Sequence, residues 1–208
     1  MVDISDLKRQ LNSYDHNLLI GEKEASKAAV LIPLVEKDDG YSVLFEERAL
    51  HLKSQPGDIC FPGGKIERGD TSPQYAAARE TCEELGIELS SIEIIGSLGR
   101  YVPSTHLIVY PFVGILNPKT FQINKDEVES IFTVPLDYLI KTEPEKHFVQ
   151  LEPNPNQNFP FDRIAKGKEY QWRKRQITEL FYHYGERSIW GMTARILNHF
   201  LSIIKPSS

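Results

Sequence analysis

Cysteine is scarce, with only Cys60 and Cys82 in 208 residues. Two thiols so placed make neither a disulfide framework nor a zinc-type pair, and both sit in apolar-looking stretches that read as a reduced core. Positive charge is also short. Lys and Arg number 24 against 29 Asp and Glu, a net charge of -5, and that balance argues against a general nucleic-acid binder. It does not exclude an anionic substrate, because bound cations supply positive charge locally. No apolar run approaches the roughly 20 residues that cross a bilayer. The opening "MVDISDLKRQLNSYDHNLLI" lacks the charged head and unbroken apolar centre of a secretory signal. A cytoplasmic protein without membrane or nucleic-acid partners is expected. The closing "KPSS" is no Ser-Lys-Leu peroxisomal address.

Apolar residues make up 40% of the chain and charged residues 25%, enough for a packed core in one domain. Ile4, Leu7 and Leu11 share one side of a helix over residues 4–12. From Ala28 an apolar run meets a turn at Lys37-Asp38-Asp39-Gly40, and a second strand follows to Glu47, which reads as a hairpin. "DICFPGGK" reads as a strand ending in a glycine turn, while "EIIGSLG" and "LIVYPFVGIL" read as strands. In "DEVESIFTVPLDYLI" we read a turn or helix start, then a helix over 135–140. The Pro-, Asn- and Gly-rich stretch over about 150–170 reads as a loop, and a last helix is expected over 190–204. No repeat or linker divides the chain, so strands interleaved with a few helices imply a mixed α/β or α+β domain.

The chemistry concentrates in "GGKIERGDTSPQYAAARETCEELGI". Ser72 suits a helix cap, Pro73 its first turn and Gly86 the position past its end. At about 100° per residue, Glu80, Glu83 and Glu84 share one arc, with Ala76 leaving room on the same face. Ala78, Thr81, Cys82 and Leu85 fall opposite and face a core. Like charges at this spacing repel unless solvent or a cation intervenes. Arg79 adjoins them, and the Pro-Gly-Gly turn just upstream brings backbone carbonyls near the same acids. Hard divalent cations such as Mg²⁺ take oxygen ligands of this kind.

The stretch resembles the Nudix box, G-x5-E-x7-R-E-U-x-E-E-x-G-U with U apolar. Gly64, Arg79, Glu80, Glu83, Glu84, Gly86 and Ile87 match. Asp70 stands in place of the first glutamate, eight residues rather than seven separate it from Arg79, and Thr81 replaces an aliphatic residue. Upstream, "LFEERALHLKSQPGDICFPGG" resembles the coenzyme A diphosphatase signature L-L-T-x-R-[SA]-x3-R-x3-G-x3-F-P-G-G. Leu44, Arg48, Ala49, Gly57, Phe61, Pro62, Gly63 and Gly64 fall in register, while Phe45 and Glu46 differ and Lys53 replaces the second arginine. Lysine keeps the charge but loses the bidentate fork.

The resemblance implies an α/β fold of the Nudix type, an α/β/α sandwich with a mixed β-sheet. It covers one domain, with a core over about 27–204 and a short N-terminal helical extension. It implies Mg²⁺ or Mn²⁺ held by Glu80, Glu83, Glu84 and the Gly64 carbonyl, with Arg79 orienting Glu80 and Glu83 as a candidate base. Glu127 and Glu129 are weaker candidates for that base, and His51 and His106 are read as structural. Arg48 and Lys53 would meet the phosphates of coenzyme A, cleaved at its diphosphate to 3',5'-ADP and 4'-phosphopantetheine. Hydrolysis of ADP-ribose, NADH or another nucleoside diphosphate derivative stays open. So does a nucleotide-sensing module without catalysis, although such a module would be expected to have lost some glutamates. The stretch 101–106 is open to the adenine or the pantetheine arm. The assembly, homodimer included, and the preferred thiol form are open too.

Overall fold

A computed structural model describes residues 3–15, 19–104 and 106–205. Of the stretches read above, residues 1–2 and 16–18 of the opening, Thr105 within 101–106 and the terminal Pro206–Ser208 lie outside the described residues. Helix α1, Ile4–Asn12, falls where the sequence places it. Asp3 caps it by accepting the Ser5 N–H, and none of its residues is buried. The hairpin is present as β1, Ser26–Lys37, and β2, Gly40–Arg48, paired antiparallel. Next come β3, Ile59–Cys60, and β4, Gly63–Lys65, on either side of Phe61-Pro62. Helix α2 spans Pro73–Leu85.

Strands β5, Ile92–Ser97, β6, Tyr101–Ser104, and β7, Leu107–Leu116, follow. The sheet runs β3-β2-β1-β7-β5, with β4 added beside β1 and β6 beside β7. β1 and β7 are parallel while the other pairs are antiparallel, so the sheet is mixed. The "VESIFTVP" stretch, read above as a turn or helix start, is instead strand β8, Val128–Pro135, paired with β2. Only its end continues into helix α3, Leu136–Lys141.

The period-2 alternation of β1 builds two cores. Ala29, Leu31 and Val35 meet Leu44, Phe112 and Leu116 beneath Ala76, Ala77 and Leu85 of α2. The intervening Ile32 and Leu34 join Val43, Phe45, Phe61, Val109 and Val113 on the other face. That face is covered by α3 and by α4, Gly191–Ile204, through Leu139, Ile196, Leu197, Phe200 and Leu201. Helices thus lie on both faces of a mixed sheet, the α/β/α layering expected.

A second sheet was not foreseen. It comprises β9, Glu145–Leu151, β10, Arg175–Tyr184, and β11, Arg187–Trp190, in the order β11-β10-β9. Leu180, Tyr182 and Ile189 of this sheet enter the core beneath α4. Most of the stretch over 150–170 is irregular, with two short 3₁₀ turns, Phe161–Arg163 and Gly167–Glu169.

Candidate active site

The glycine turn and α2 meet through the sheet. Gly63, at φ +147°, pairs with Val30 of β1, and an added Cβ would run into the Ala29 carbonyl and Val30. No other residue fits so close to a neighbouring strand. The Gly63 N–H donates to Glu84 Oε2 at 2.8 Å. A Cβ on Gly64 would meet the Glu80 carboxylate at 2.5–2.7 Å, so this glycine lets Glu80 rest on the turn. Helix α2 is aimed by its ends. Ser72 Oγ accepts the Tyr75 N–H at 3.1 Å, and Gly86 closes the helix at φ +61° in the left-handed conformation.

Arg79 gathers the acids. Its Nε donates to Asp70 Oδ1 at 2.9 Å and its Nη2 to Asp70 Oδ2 at 3.1 Å, a bidentate pair with an Asp70 side chain only 2% exposed. Nη2 also donates to Glu80 Oε1 at 2.9 Å, and Nη1 to Glu83 Oε2 at 3.1 Å. The shifted Asp70 therefore reaches Arg79 despite the extra residue. Hydrogen bonds from Arg79 and the Glu67 N–H hold the Asp70 carboxyl below its usual range.

Glu80 is half-buried and Glu83 exposed, whereas Glu84 is 4% exposed. The acidic face is thus not all open. Ala76, expected to leave room on it, is fully buried in the core. Burial pushes the Glu80 carboxyl up while the Arg79 hydrogen bond pulls it down. Burial and then the charge of Glu46 push the Glu84 carboxyl up strongly.

Glu46 itself is a residue that sequence reasoning missed. It lies on β2 at 1% exposure, in the signature position where threonine is usual. Its Oε1 accepts the Cys60 thiol at 3.2 Å, and its Oε2 is buried without a hydrogen-bond partner. Burial pushes its carboxyl up to about 7. Burial followed by the Glu46 charge pushes the Cys60 thiol up as well, which keeps it protonated and unreactive. Cys60 and Cys82 are both free, as expected, but Cys60 faces a carboxylate rather than apolar surroundings alone. The only signal was an acid directly after the apolar run Val43-Leu44-Phe45.

Glu127, on the turn before β8, is exposed, and its charge acts on Glu46, Glu80 and Glu84. The carbonyl of Glu129 accepts from Lys125 Nζ. Arg48 lines a cleft of about 140 Å³ together with Gly63 and Gly64, and its Nε is buried without a partner. Lys53 and His51 stand exposed on the loop after β2 and do not line that cleft, and His106 is also exposed.

Among the described residues no three His, Cys, Asp or Glu side chains are gathered so that they could hold a metal ion as they stand. Arg79 holds Glu80 and Glu83, and the Gly63 N–H holds Glu84. The donor set still suits a hard divalent ion. It is all oxygen, and Glu46, whose charge acts on Glu84, has a buried carboxylate oxygen without a hydrogen-bond partner.

The family profile described as NUDIX domain matches residues 25–153, more than half of the chain. The chain belongs to the Nudix hydrolase family. Over 205 residues it is 33% identical to Nudix hydrolase 3 of Caenorhabditis elegans, covering 92% of this chain and 79% of that protein. Over 138 residues it is 36% identical to the peroxisomal coenzyme A diphosphatase of Mus musculus, covering 66% of this chain and 58% of the mouse protein. The chain thus spans less than two thirds of that second relative. A MutT/nudix family protein from Enterococcus faecalis shares the fold over 98% of this chain and 70% of its own, with TM-score 0.51 and 14% identity. Nudix hydrolases generally use divalent metal ions and act on small molecules. No described helix is long and apolar enough to cross a membrane.

Proposed function

We propose that this Nudix hydrolase cleaves the diphosphate of coenzyme A or its derivatives, releasing 3',5'-ADP and 4'-phosphopantetheine or its acyl form, with Mg²⁺ or Mn²⁺. One observation carries the reading. The turn that holds Glu84 and cradles Glu80 also borders the cleft lined by Arg48, so acids and cation address one space. The likeness to the mouse coenzyme A diphosphatase and the register of the upstream signature support the choice of substrate.

Glu80, Glu83 and Glu84, with the Gly64 carbonyl, would hold the divalent ion. When bound, that ion offsets diphosphate charge and acidifies an attacking water. Arg79 keeps Glu80 aimed at the turn and does not itself meet substrate, since its donors are engaged by Asp70, Glu80 and Glu83. Glu83, the most exposed of the three acids, is the group we assign to accept the water's proton, with Glu127 as the alternative. Arg48 would bind a phosphate oxygen through the guanidinium atoms that face the cleft, and Lys53 would reach a more peripheral phosphate from its loop.

The test is turnover of coenzyme A by the purified chain with Mg²⁺, followed as 3',5'-ADP release. Addition of EDTA is expected to abolish it. Release that persists in EDTA contradicts the metal assignment, and no release with Mg²⁺, or with Mn²⁺ in its place, contradicts the substrate.

A further inference from the structure

The cleft beside Arg48 does not end at the glycine turn. Its floor crosses β4, β1 and β7, and β6 is the next strand in that direction. Val30 pairs with Gly63, Ala28 with Val109, and Val109 with Tyr101. From β4 to β6, three strand spacings of about 4.8 Å span about 14 Å. Val30, Leu107, Val109 and Tyr101 pack on the same face as Phe61, so the floor is apolar. The N-terminal turns of α4 form the facing wall through Met192, Thr193 and Ile196.

Met192 also lines a second, wider cavity of about 590 Å³ with Tyr101, Val102, Trp190 and Arg195. The two spaces therefore adjoin at this side chain. Trp190 is 44% exposed, and its ring is stacked on Phe181 at 5.8 Å with planes 9° apart. The indole is held flat without being covered. Met192 is 38% exposed, and its flexible, polarizable thioether can adapt to what lies against it.

Charge decides what this trough accepts. Arg48, at the glycine-turn end, is the one charged residue among the described residues lining the first cleft. Beyond it the lining as far as Met192 is uncharged and mostly apolar, with Gln55 and Thr193 its polar members, and in the wider cavity Arg195, which donates to the Thr178 carbonyl, is accompanied by Glu179. Along the narrow stretch between Arg48 and Met192 a 3'-phosphate would find no further cation. A neutral, extended chain leaving the diphosphate would match it in length and polarity.

We propose that this trough, from Val109 past Met192 to Trp190, is the subsite for the neutral non-nucleotide arm, the pantetheine chain and any acyl group on its thiol. The assignment rests on the coenzyme A reading above and adds which half of the substrate goes where. Met192 is the specificity-determining contact, because it stands where the narrow trough opens. The open far end accommodates a chain longer than pantetheine itself, so acylated derivatives are expected to fit.

Calorimetric titration with the two separate products tests this without relying on turnover. Met192→Glu is expected to weaken 4'-phosphopantetheine binding about tenfold or more, the scale on which an apolar contact discriminates. Met192→Leu is expected to stay within about threefold of the parent, and neither change should move 3',5'-ADP affinity. Equal weakening of both products by Met192→Glu overturns the assignment, as does no weakening of 4'-phosphopantetheine or its failure to bind the parent chain. The side chain is exposed enough for both variants to fold, and circular dichroism checks this. Coenzyme A turnover in the parent chain reads the proposed function separately. Selective binding without turnover keeps the trough and discards the substrate reading.

Discussion

At the scale of single residues, the site is a contest between burial and charge. Glu46 and Glu84 are almost entirely enclosed, and each carboxyl is raised above its ordinary value chiefly by burial. A carboxyl raised in the folded state binds more protons there than in the unfolded chain, so its contribution is fully present below the ordinary carboxylate range and is lost as pH rises through the folded value. With EDTA present, the melting temperature should therefore fall as pH climbs through about 7, where Glu46 ionises. Mg²⁺ should restore more of it at pH 8 than at pH 5. A metal-induced shift that is equal at both values would contradict the account. Glu84→Gln should lose metal-dependent turnover by at least about a hundredfold while its circular dichroism is unchanged. Full activity would remove Glu84 from the metal site.

The glutamates of α2 were legible because their spacing is fixed by helical geometry, whatever packs around them. Glu46 was not, since nothing local marks an acid on a buried strand as facing a site rather than an error in the alternation. Asp70 was legible as a departure from the box. That its side chain still reaches Arg79 depends on the path of the loop over 66–72, which spacing alone does not fix.

At the scale of elements, α2 shows how local signals position chemistry. The serine cap, the proline in the first turn and the left-handed glycine all stand where the sequence places them. Ser72→Ala should lower unfolding free energy by about 1 kcal/mol in urea titration. Gly86→Ala should cost more, because an added Cβ meets the Gln122 carbonyl as well as an unfavourable φ. Equal losses from the two would mean that the Gln122 contact does not constrain the helix end. The second sheet escaped sequence reading for the opposite reason. Every residue of β9 is exposed, Phe148, Val149 and Leu151 included, so no buried alternation marks it. In the main sheet, β8 was missed because it begins inside an acidic run that resembles a helix start.

At the scale of the whole molecule, the main sheet carries the glycine turn, while the start of α4, which follows β11 of the second sheet, lines the same cleft. The two cores on the main sheet's opposite faces hold these parts in register. Phe45, fully buried and stacked on Phe61 at 5.1 Å and Phe132 at 5.5 Å, ties β2 to both the turn segment and β8. Its replacement by Ala should cost about 3–5 kcal/mol in equilibrium unfolding. A loss under about 1 kcal/mol would mean that these rings do not set the core. The layering could be anticipated from strands interleaved with helices only with the help of the family resemblance. The trough across four strands could not, because it joins residues from β1, β6, β7 and α4 that no local pattern links.

The central claim is that one metal-dependent site acts on the coenzyme A diphosphate. A side-by-side assay with coenzyme A, ADP-ribose and NADH, each with Mg²⁺, Mn²⁺ or EDTA, tests it most directly. The account predicts release of 3',5'-ADP that requires the metal, with coenzyme A giving the highest kcat/KM. A higher kcat/KM for ADP-ribose or NADH, or 3',5'-ADP release that survives EDTA, would contradict it.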